Sequence, residues 1–373
     1  MKEKRLNVKR QNAKQSIITS AFALLFSLIL GAVLLAVCGY SPIESYGAIF
    51  GASLGTVKGF ALSLSQATPI LFTGLSFAIA YRVRMINTGA EGQLYAGAMA
   101  SALVGAYVVG LPSPVHVALC LAAAALAGGL IAALVAFLKV KFGANEIILT
   151  LMLNEVIILF TSYLANGPLK PEGSGIGQTE KIQETAKLIR LIPQTQLTIA
   201  LIVGIVLAIL LQFMLNRTAF GYEIQVTGYN LKAARTAGIN VAKTYLITFA
   251  ISGAVAGLGG AAMALGINYR FMEGFSASYG FAGISVAALA AYSPVGVILS
   301  SFLIGILKAG AITLNRTTSI PIEFVSVIQV MVIIFVAAPK LIRSILSLPK
   351  KAMKHSDAPA PAAAGSEKED ASK

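Results

Sequence analysis

Long apolar runs separated by short polar interruptions dominate this chain from Ile17 to Ala338. Ten of them read as membrane spans: Ile17–Cys38, Gly59–Tyr81, Leu94–Gly110, Val115–Leu138, Ile147–Ala165, Leu197–Leu215, Thr244–Gly266, Phe281–Tyr292, Val295–Lys308 and Ile322–Ala338. About 20 consecutive apolar residues carry a helix across the hydrocarbon of a bilayer. None of the runs alternates polar and apolar residues as a barrel strand does. Helices are therefore expected, because in hydrocarbon only helices and closed barrels satisfy their own backbone hydrogen bonds. The pattern predicts an all-α, polytopic transmembrane helical bundle of about ten spans. Phe281–Tyr292 and Val295–Lys308 are each short for a crossing, and Ser293-Pro294 interrupts the run between them. One long bent helix, or a re-entrant segment, is the competing reading and lowers the count to nine or eight.

Two polar segments are long enough to hold structure of their own. One is 166–196, with Pro168, Pro171 and Pro193; the other is 216–243. Residues 1–16 form a basic N-terminus and 17–346 the membrane domain. The tail 347–373 is rich in Ala, Pro, Ser and charge and is expected to be disordered.

Composition agrees with immersion in lipid. Hydrophobic residues make up 57% of the 373 positions and charged residues only 12%, against about 25% in a soluble domain. The net charge of +14 raises the question of nucleic acid. Its distribution answers it: Lys and Arg sit in short clusters between apolar runs, with no aromatic-rich basic face. Such clusters orient a membrane protein, basic side inward. Arg82 and Arg84, Lys139 and Lys141, and the segment Arg217–Lys243 fall on the same side as the basic ends of the chain. Both termini are expected in the cytoplasm, with 216–243 inside and 166–196 outside. That arrangement requires an even number of spans. Cys38 and Cys120 read as packing residues. His116 and His355 have no companion ligands, so no metal site is expected.

No Gly-Lys dipeptide occurs, so the chain has no Walker A loop. If ATP drives this protein, another chain binds it. The segment from Gly228 through Asn230, Ala233, Ala234 and Ala237 to Gly238 predicts a short helix. Asn230 is placed to cap it, and Gly238 to end it. Its narrow small-residue face is a poor lipid anchor but suits a groove in a cytoplasmic partner. A bulky residue at Ala234 or Gly238 is expected to leave membrane insertion intact and to weaken that contact.

Three segments together resemble one family. The 228–239 pattern is similar to the coupling loop of bacterial ABC-importer permeases of the branched-chain amino acid, simple sugar and nucleoside group. Ile86–Gln93, with Asn87, Gly89, Glu91 and Gln93, looks like that group's N-x-G-x-E-G-Q segment. Gly280–Gly296 looks like its GF-x-x-I-x-VA-x-L segment followed by Pro-x-Gly. The Asn87–Gln93 stretch most resembles nucleoside permeases, with simple-sugar permeases as the alternative. The resemblance implies a multi-pass permease subunit of the bacterial cytoplasmic membrane that is not itself an enzyme. It implies no cofactor on this chain, ATP being bound by a partner ATPase. Further implied partners are a second permease subunit, related or identical, and an external lipid-anchored substrate-binding protein; nucleic acid is not one. Gly228, Asn230, Ala233, Ala234 and Gly238 would then couple to the ATPase.

Polar residues inside spans are the remaining candidates. Asn154 and Glu155 either bond to a neighbouring helix or line the translocation path, because a carboxylate at mid-membrane must be paired or face water. Gln66 and Thr68 join them, beside Pro69, which removes a backbone hydrogen bond and is expected to kink its helix. Glu91 either caps the next span, where a carboxylate favours the helix dipole, or serves the substrate. Gly253 and Gly257 form a close-approach face, within the subunit or as a dimer seam. An ion-coupled secondary transporter using Glu155 is the reading from a different class.

Overall fold

The computed structural model describes residues 25–26, 29–33, 35–37, 39–318 and 327; of 316–318 it describes the backbone alone. The expected spans Ile17–Cys38 and Ile322–Ala338, the basic N-terminus and the 347–373 tail therefore lie wholly or largely outside the described residues. Among the described residues the regular elements are helices, with two isolated β-bridges at Gln178–Met272 and Arg190–Thr198. The helices are α1 (Pro42–Leu54), α2 (Val57–Arg82), α3 (Ala90–Tyr107), α4 (Ser113–Phe142), α5 (Glu146–Asn166), α6 (Ala200–Arg217), α7 (Ala219–Tyr229), α8 (Leu231–Thr236), α9 (Val241–Met263, continued by a π-turn Ala264–Asn268), α10 (Tyr279–Leu289) and α11 (Pro294–Thr318).

Six of these are long and apolar enough to cross a membrane: α2, α4, α5, α6, α9 with its π-turn, and α11. The run at 281–292 folds as the 11-residue α10. At 1.5 Å per residue it extends about 16 Å, roughly half the hydrocarbon thickness. It is a half-length helix rather than a separate crossing. The break after it lies where Ser293-Pro294 placed it: Ala291 and Tyr292 adopt left-handed φ values of 48° and 58°, and Pro294 opens α11, as its fixed φ allows at a first helical position. Lys308 does not end a span. It sits well inside the 25-residue α11.

α2 is the axis of the bundle. It is packed by α9, α10, α11 and α6, and 89% of its apolar window is buried. The helix runs through Pro69 without ending. α9 lies across α4 and α3, and α11 covers α2 and α1. α5 rests on α3 and α4 at the edge of the bundle and is only 17% buried. The segment 166–196 is folded down onto one end of the bundle. Its backbone N–H groups at Thr179, Ile182 and Leu188 donate to the carbonyls of Phe271, Tyr269 and Leu265 at 2.9–3.2 Å. The buried His116 fixes it further: its Nε2 donates to the Val104 carbonyl at 3.2 Å, and its Nδ1 lies 2.8 Å from Thr185 Oγ1.

Candidate functional site

The chain leaving α2 at Arg82 does not stay at the surface. It turns back so that Asn87 reaches the level of Ser76, six residues up α2. Asn87 is fully buried and ties three helices together. Its Nδ2 donates to Ser252 Oγ on α9 at 2.8 Å and to Gln93 Oε1 at 2.9 Å. Its Oδ1 accepts from Gln93 Nε2 at 3.0 Å and from the Gly89 N–H at 3.1 Å. Ser252 Oγ in turn donates to the Ser76 carbonyl at 2.7 Å. α3 therefore starts inside the bundle, and its first-turn carboxylate, Glu91, is 4% exposed.

Glu91 does not merely cap its own helix. Its Oε2 accepts from the backbone N–H of Gly280, in the first turn of α10, at 2.5 Å. The start of α10 is held from a second side by Thr73, whose hydroxyl donates to the Tyr279 carbonyl at 2.8 Å. Glycine is required at this crossing: a Cβ on Gly280 would stand 2.4 Å from the Glu91 nitrogen, and one on Gly283 would stand 2.5 Å from the Thr73 carbonyl carbon. Tyr279 then reaches back to α2, its hydroxyl donating to Gln66 Oε1 at 2.5 Å. Lys308 of α11 completes the junction. Its Nζ donates to the Ala277 carbonyl at 2.7 Å and lies 4.3 Å from the centroid of the Tyr279 ring. Two helix starts and a carboxylate thus meet inside an apolar bundle, with an amine at the edge of the junction; helix starts at membrane depth frame transport sites in other membrane proteins.

The four path candidates are not brought together. Gln66 belongs to this junction. Thr68 is buried on α2 and bonds its own helix at the Leu64 carbonyl, 2.8 Å away. It borders a void with no room for a water molecule. Asn154 is a clamp on the Asn87–Gln93 stretch: Oδ1 accepts from Gly92 N–H and Nδ2 donates to the Thr88 carbonyl, each at 2.8 Å. Its neighbour Glu155 points the other way. It is exposed on the outer face of α5 and makes no hydrogen bond or ion pair among the described residues. Adjacent positions on a helix lie about 100° apart, and here one side chain turns inward and the other outward. Asn87, Gly89, Glu91 and Gln93, by contrast, form one connected unit.

Lys308, Tyr279 and Ser252 were not singled out for the interior. In the sequence Lys308 stands at the edge of an interrupted run. A lysine followed by ten further helix-compatible residues was the available signal. Tyr279 and Ser252 carry no sequence signal of their own.

At the opposite end of α2 the 216–243 segment forms α7 and α8. Asn230 caps α8, accepting from the N–H groups of Lys232 and Ala233 at 3.0 and 3.1 Å. Gly238 adopts φ +78° just past its end. The small-residue face divides. Ala233, Ala237 and Gly238 are exposed, whereas Ala234 is fully buried against the chain itself. Ala234 is therefore not free to meet a partner, and a bulky residue there would disturb the loop's own packing. Gly228 is also turned inward: a Cβ there would lie 1.9 Å from the Arg82 carbonyl. α7 is thus pressed against the end of α2. Arg82 in turn donates to the Tyr292 carbonyl at 2.7 Å, and the rings of Tyr81 and Tyr292 stack at 3.8 Å. A chain of direct contacts links α7 to the break between α10 and α11.

A smaller latch joins the loop 270–278 to the end of α5. Asn166 Nδ2 donates to Glu273 at 2.7 Å, and Ser162 donates to its other oxygen. These two bonds hold the Glu273 carboxyl below the ordinary carboxylate range. A lowered folded-state pKa contributes stability above the unfolded value and loses it as pH falls through the folded one. Amide exchange across 270–278 should therefore quicken on acidification below the ordinary carboxylate range. Glu273→Gln should remove that pH dependence; an unchanged profile in the variant would show the latch to be inert.

A family model described as branched-chain amino acid transport system / permease component matches residues 59–337. The guanosine ABC transporter permease protein NupP of Bacillus subtilis is 34% identical over 335 residues, covering 88% of this chain and 95% of its own length. The nucleoside ABC transporter permease protein NupB of Lactococcus lactis is 29% identical, covering 93% and 97%. The glucose ABC transporter permease protein TsgB13 of Haloferax volcanii is 32% identical, covering 85% and 86%. No solved structure matches the chain. The match spans the polar junction and, from residue 59 of α2 onward, the six apolar helices, and the chain belongs to the branched-chain amino acid transport permease family, as a multi-pass membrane subunit that transports rather than catalyses.

Proposed function

We propose that this chain is the permease subunit of an ABC importer that moves nucleosides across the bacterial cytoplasmic membrane. The observation that carries the reading is the full-length similarity to permeases named for guanosine and for nucleosides. A simple sugar is the second reading, since a 32% identical relative is named for glucose. Competition for uptake in intact cells separates the two. Unlabelled guanosine or adenosine should block uptake of labelled nucleoside. Block by glucose or ribose, with no effect of nucleosides, would overturn the assignment.

Energy comes from ATP held by a separate ATPase, with no cofactor on this chain. We read an even number of spans, eight to ten, with both termini inside, 216–243 facing the cytoplasm and 166–196 facing outward under an external, lipid-anchored binding protein. A second permease subunit completes the membrane part. It accounts for Glu155, a bare carboxylate half way along an edge helix. Such a group is tolerated when it faces water or a partner, so the path runs between α5 and the second subunit. The exposed face of α8 meets the ATPase, beside an open pocket of about 390 Å³ bordered by Lys139, Arg235, Ile239 and Tyr245. Ala233→Trp should leave the permease in the membrane at the parent level. It should lower coupled transport by about tenfold, equivalent to ~1.4 kcal/mol and within the usual overpacking range. Ala234→Trp should instead reduce the amount of folded protein. The readouts are transport in reconstituted complexes and permease level by blot; parent-rate transport by Ala233→Trp would exclude this face. Uptake by the chain alone, collapsed by an ionophore, would favour the ion-coupled class.

A further inference from the structure

We propose that the pocket at the Arg82 end of α2 is an anion site that takes a phosphate group. The pocket has a volume of about 140 Å³ and is bordered by Tyr81, Arg82, Arg84, Gln225, Gly228, Tyr229, Ala291 and Tyr292. At about 30 Å³ per water, it has room for a phosphate head with its first substituent.

Its chemistry is one-sided. Two guanidinium groups border it and no carboxylate does. Among the described residues neither Arg82 nor Arg84 has an ion pair. Arg82 spends one terminal nitrogen on the Tyr292 carbonyl, which leaves its other terminal nitrogen without a hydrogen bond among the described residues. Arg84 is exposed and lies 5.8 Å from the Tyr81 ring centroid, supported by the aromatic face. The fork of N–H donors on arginine matches phosphate oxygens.

The backbone is unusual in the same place. Among the described residues six non-glycine positions have left-handed φ, and three of them, Arg84, Ala291 and Tyr292, border this pocket. Such conformations persist where the surroundings over-determine them and gather at ligand clamps and switches. The pocket also touches every part of the contact chain from α7 to the α10–α11 break. A phosphate seated there would bind Arg82 and Arg84 at once and stiffen the link between α7 and α11.

Two sources carry this chemistry. On the proposed orientation the pocket opens at the inner membrane surface, where anionic phospholipid heads lie; cytosolic phosphate compounds reach the same surface. The experiment uses the full-length chain purified in mild detergent, with Arg84→Gln and the double variant Arg82→Gln, Arg84→Gln. One arm measures retention of phosphatidylglycerol against diacylglycerol by native mass spectrometry. The other titrates inorganic phosphate and guanosine monophosphate by calorimetry. The parent should bind phosphatidylglycerol or a soluble phosphate, and Arg84→Gln should weaken that binding at least tenfold with its melting temperature unchanged. Retention of the lipid alone assigns a membrane headgroup; heat from the soluble anions assigns a cytosolic ligand. Should the double variant fail to fold because the Tyr292 contact is lost, Arg84→Gln decides alone. No phosphate binding in the parent, or equal binding in Arg84→Gln, overturns the site. Neither readout needs transport or an ATPase, so failure here leaves the importer reading untouched.

Discussion

Gly257→Leu should leave little folded protein in the membrane. A Cβ at Gly257 would stand 2.2 Å from the Ala124 carbonyl oxygen on α4. On α3, a Cβ at Gly97 would meet the Gly257 carbonyl at 2.3 Å. The contact continues along α9: a Cβ at Gly253 lies 2.3 Å from the Gly128 carbonyl, and one at Gly260 lies 2.0 Å from that of Leu94. These atoms are backbone and cannot rotate away, so admitting a side chain means prising three helices apart. Overpacking costs roughly 1–3 kcal/mol where neighbours can shift; here the cost should reach or exceed the upper value. In lipid the loss is sharper still. Helix association there rests on close packing and hydrogen bonds rather than on exclusion of water. Size-exclusion profile and melting temperature in mild detergent measure the effect. Gly51→Leu, at a position with nothing within 4 Å, serves as the control. A monodisperse Gly257→Leu protein melting with the parent would show that the α9 seam does not hold the bundle. Both Gly253 and Gly257 face helices of their own chain, so this face is packed within the subunit and does not form a dimer seam.

Asn87→Leu should be nearly as damaging, for the opposite reason. The site has room for the side chain, but its neighbours lose their partners. The Gly89 N–H, the Ser252 hydroxyl and both ends of the Gln93 amide now bond to one buried residue. Each buried polar group left unsatisfied costs about 1–3 kcal/mol, so the total should be roughly 3 kcal/mol or more. Asn154→Ala removes the second clamp on the same stretch, at Gly92 and Thr88, and should destabilise by a smaller amount. The two should be non-additive, because both hold the segment that positions Glu91 against Gly280. Melting temperatures of the single and double variants test this. Strict additivity would mean that the two clamps act independently and that the junction is not one unit.

The contrast between Asn154 and Glu155 shows what could be read in advance. Both stood out as polar residues in an apolar run, and the run itself became α5. Nothing in the run told which of the two faced the bundle. A helix in a soluble protein announces its inner side by an apolar stripe. In a membrane bundle both sides are apolar, so that signal is missing. α2 and α5 read alike as spans, yet 89% of the one and 17% of the other is buried. The small-residue loop helix posed the same difficulty. Asn230 and Gly238 were legible because caps and left-handed turns are local chemistry. The inward turn of Ala234 was not, because it depends on where α7 and α8 fold back.

What the sequence determined by itself is therefore the membrane habit, the apolar helices, the break at Ser293-Pro294, the cap at Asn230 and the family. Each follows from residues close together in the chain: run length against bilayer thickness, proline and asparagine against the backbone, motif spacing. The tertiary structure decided the rest. It drew Asn87–Gln93 back into the bundle, set Glu91 against α10, placed Lys308 over Tyr279, turned Glu155 outward and left the Arg82 pocket without an acid. These are pairings across up to about two hundred residues. They depend on how helices cross, and backbone-to-backbone packing at a few glycines fixes those crossings.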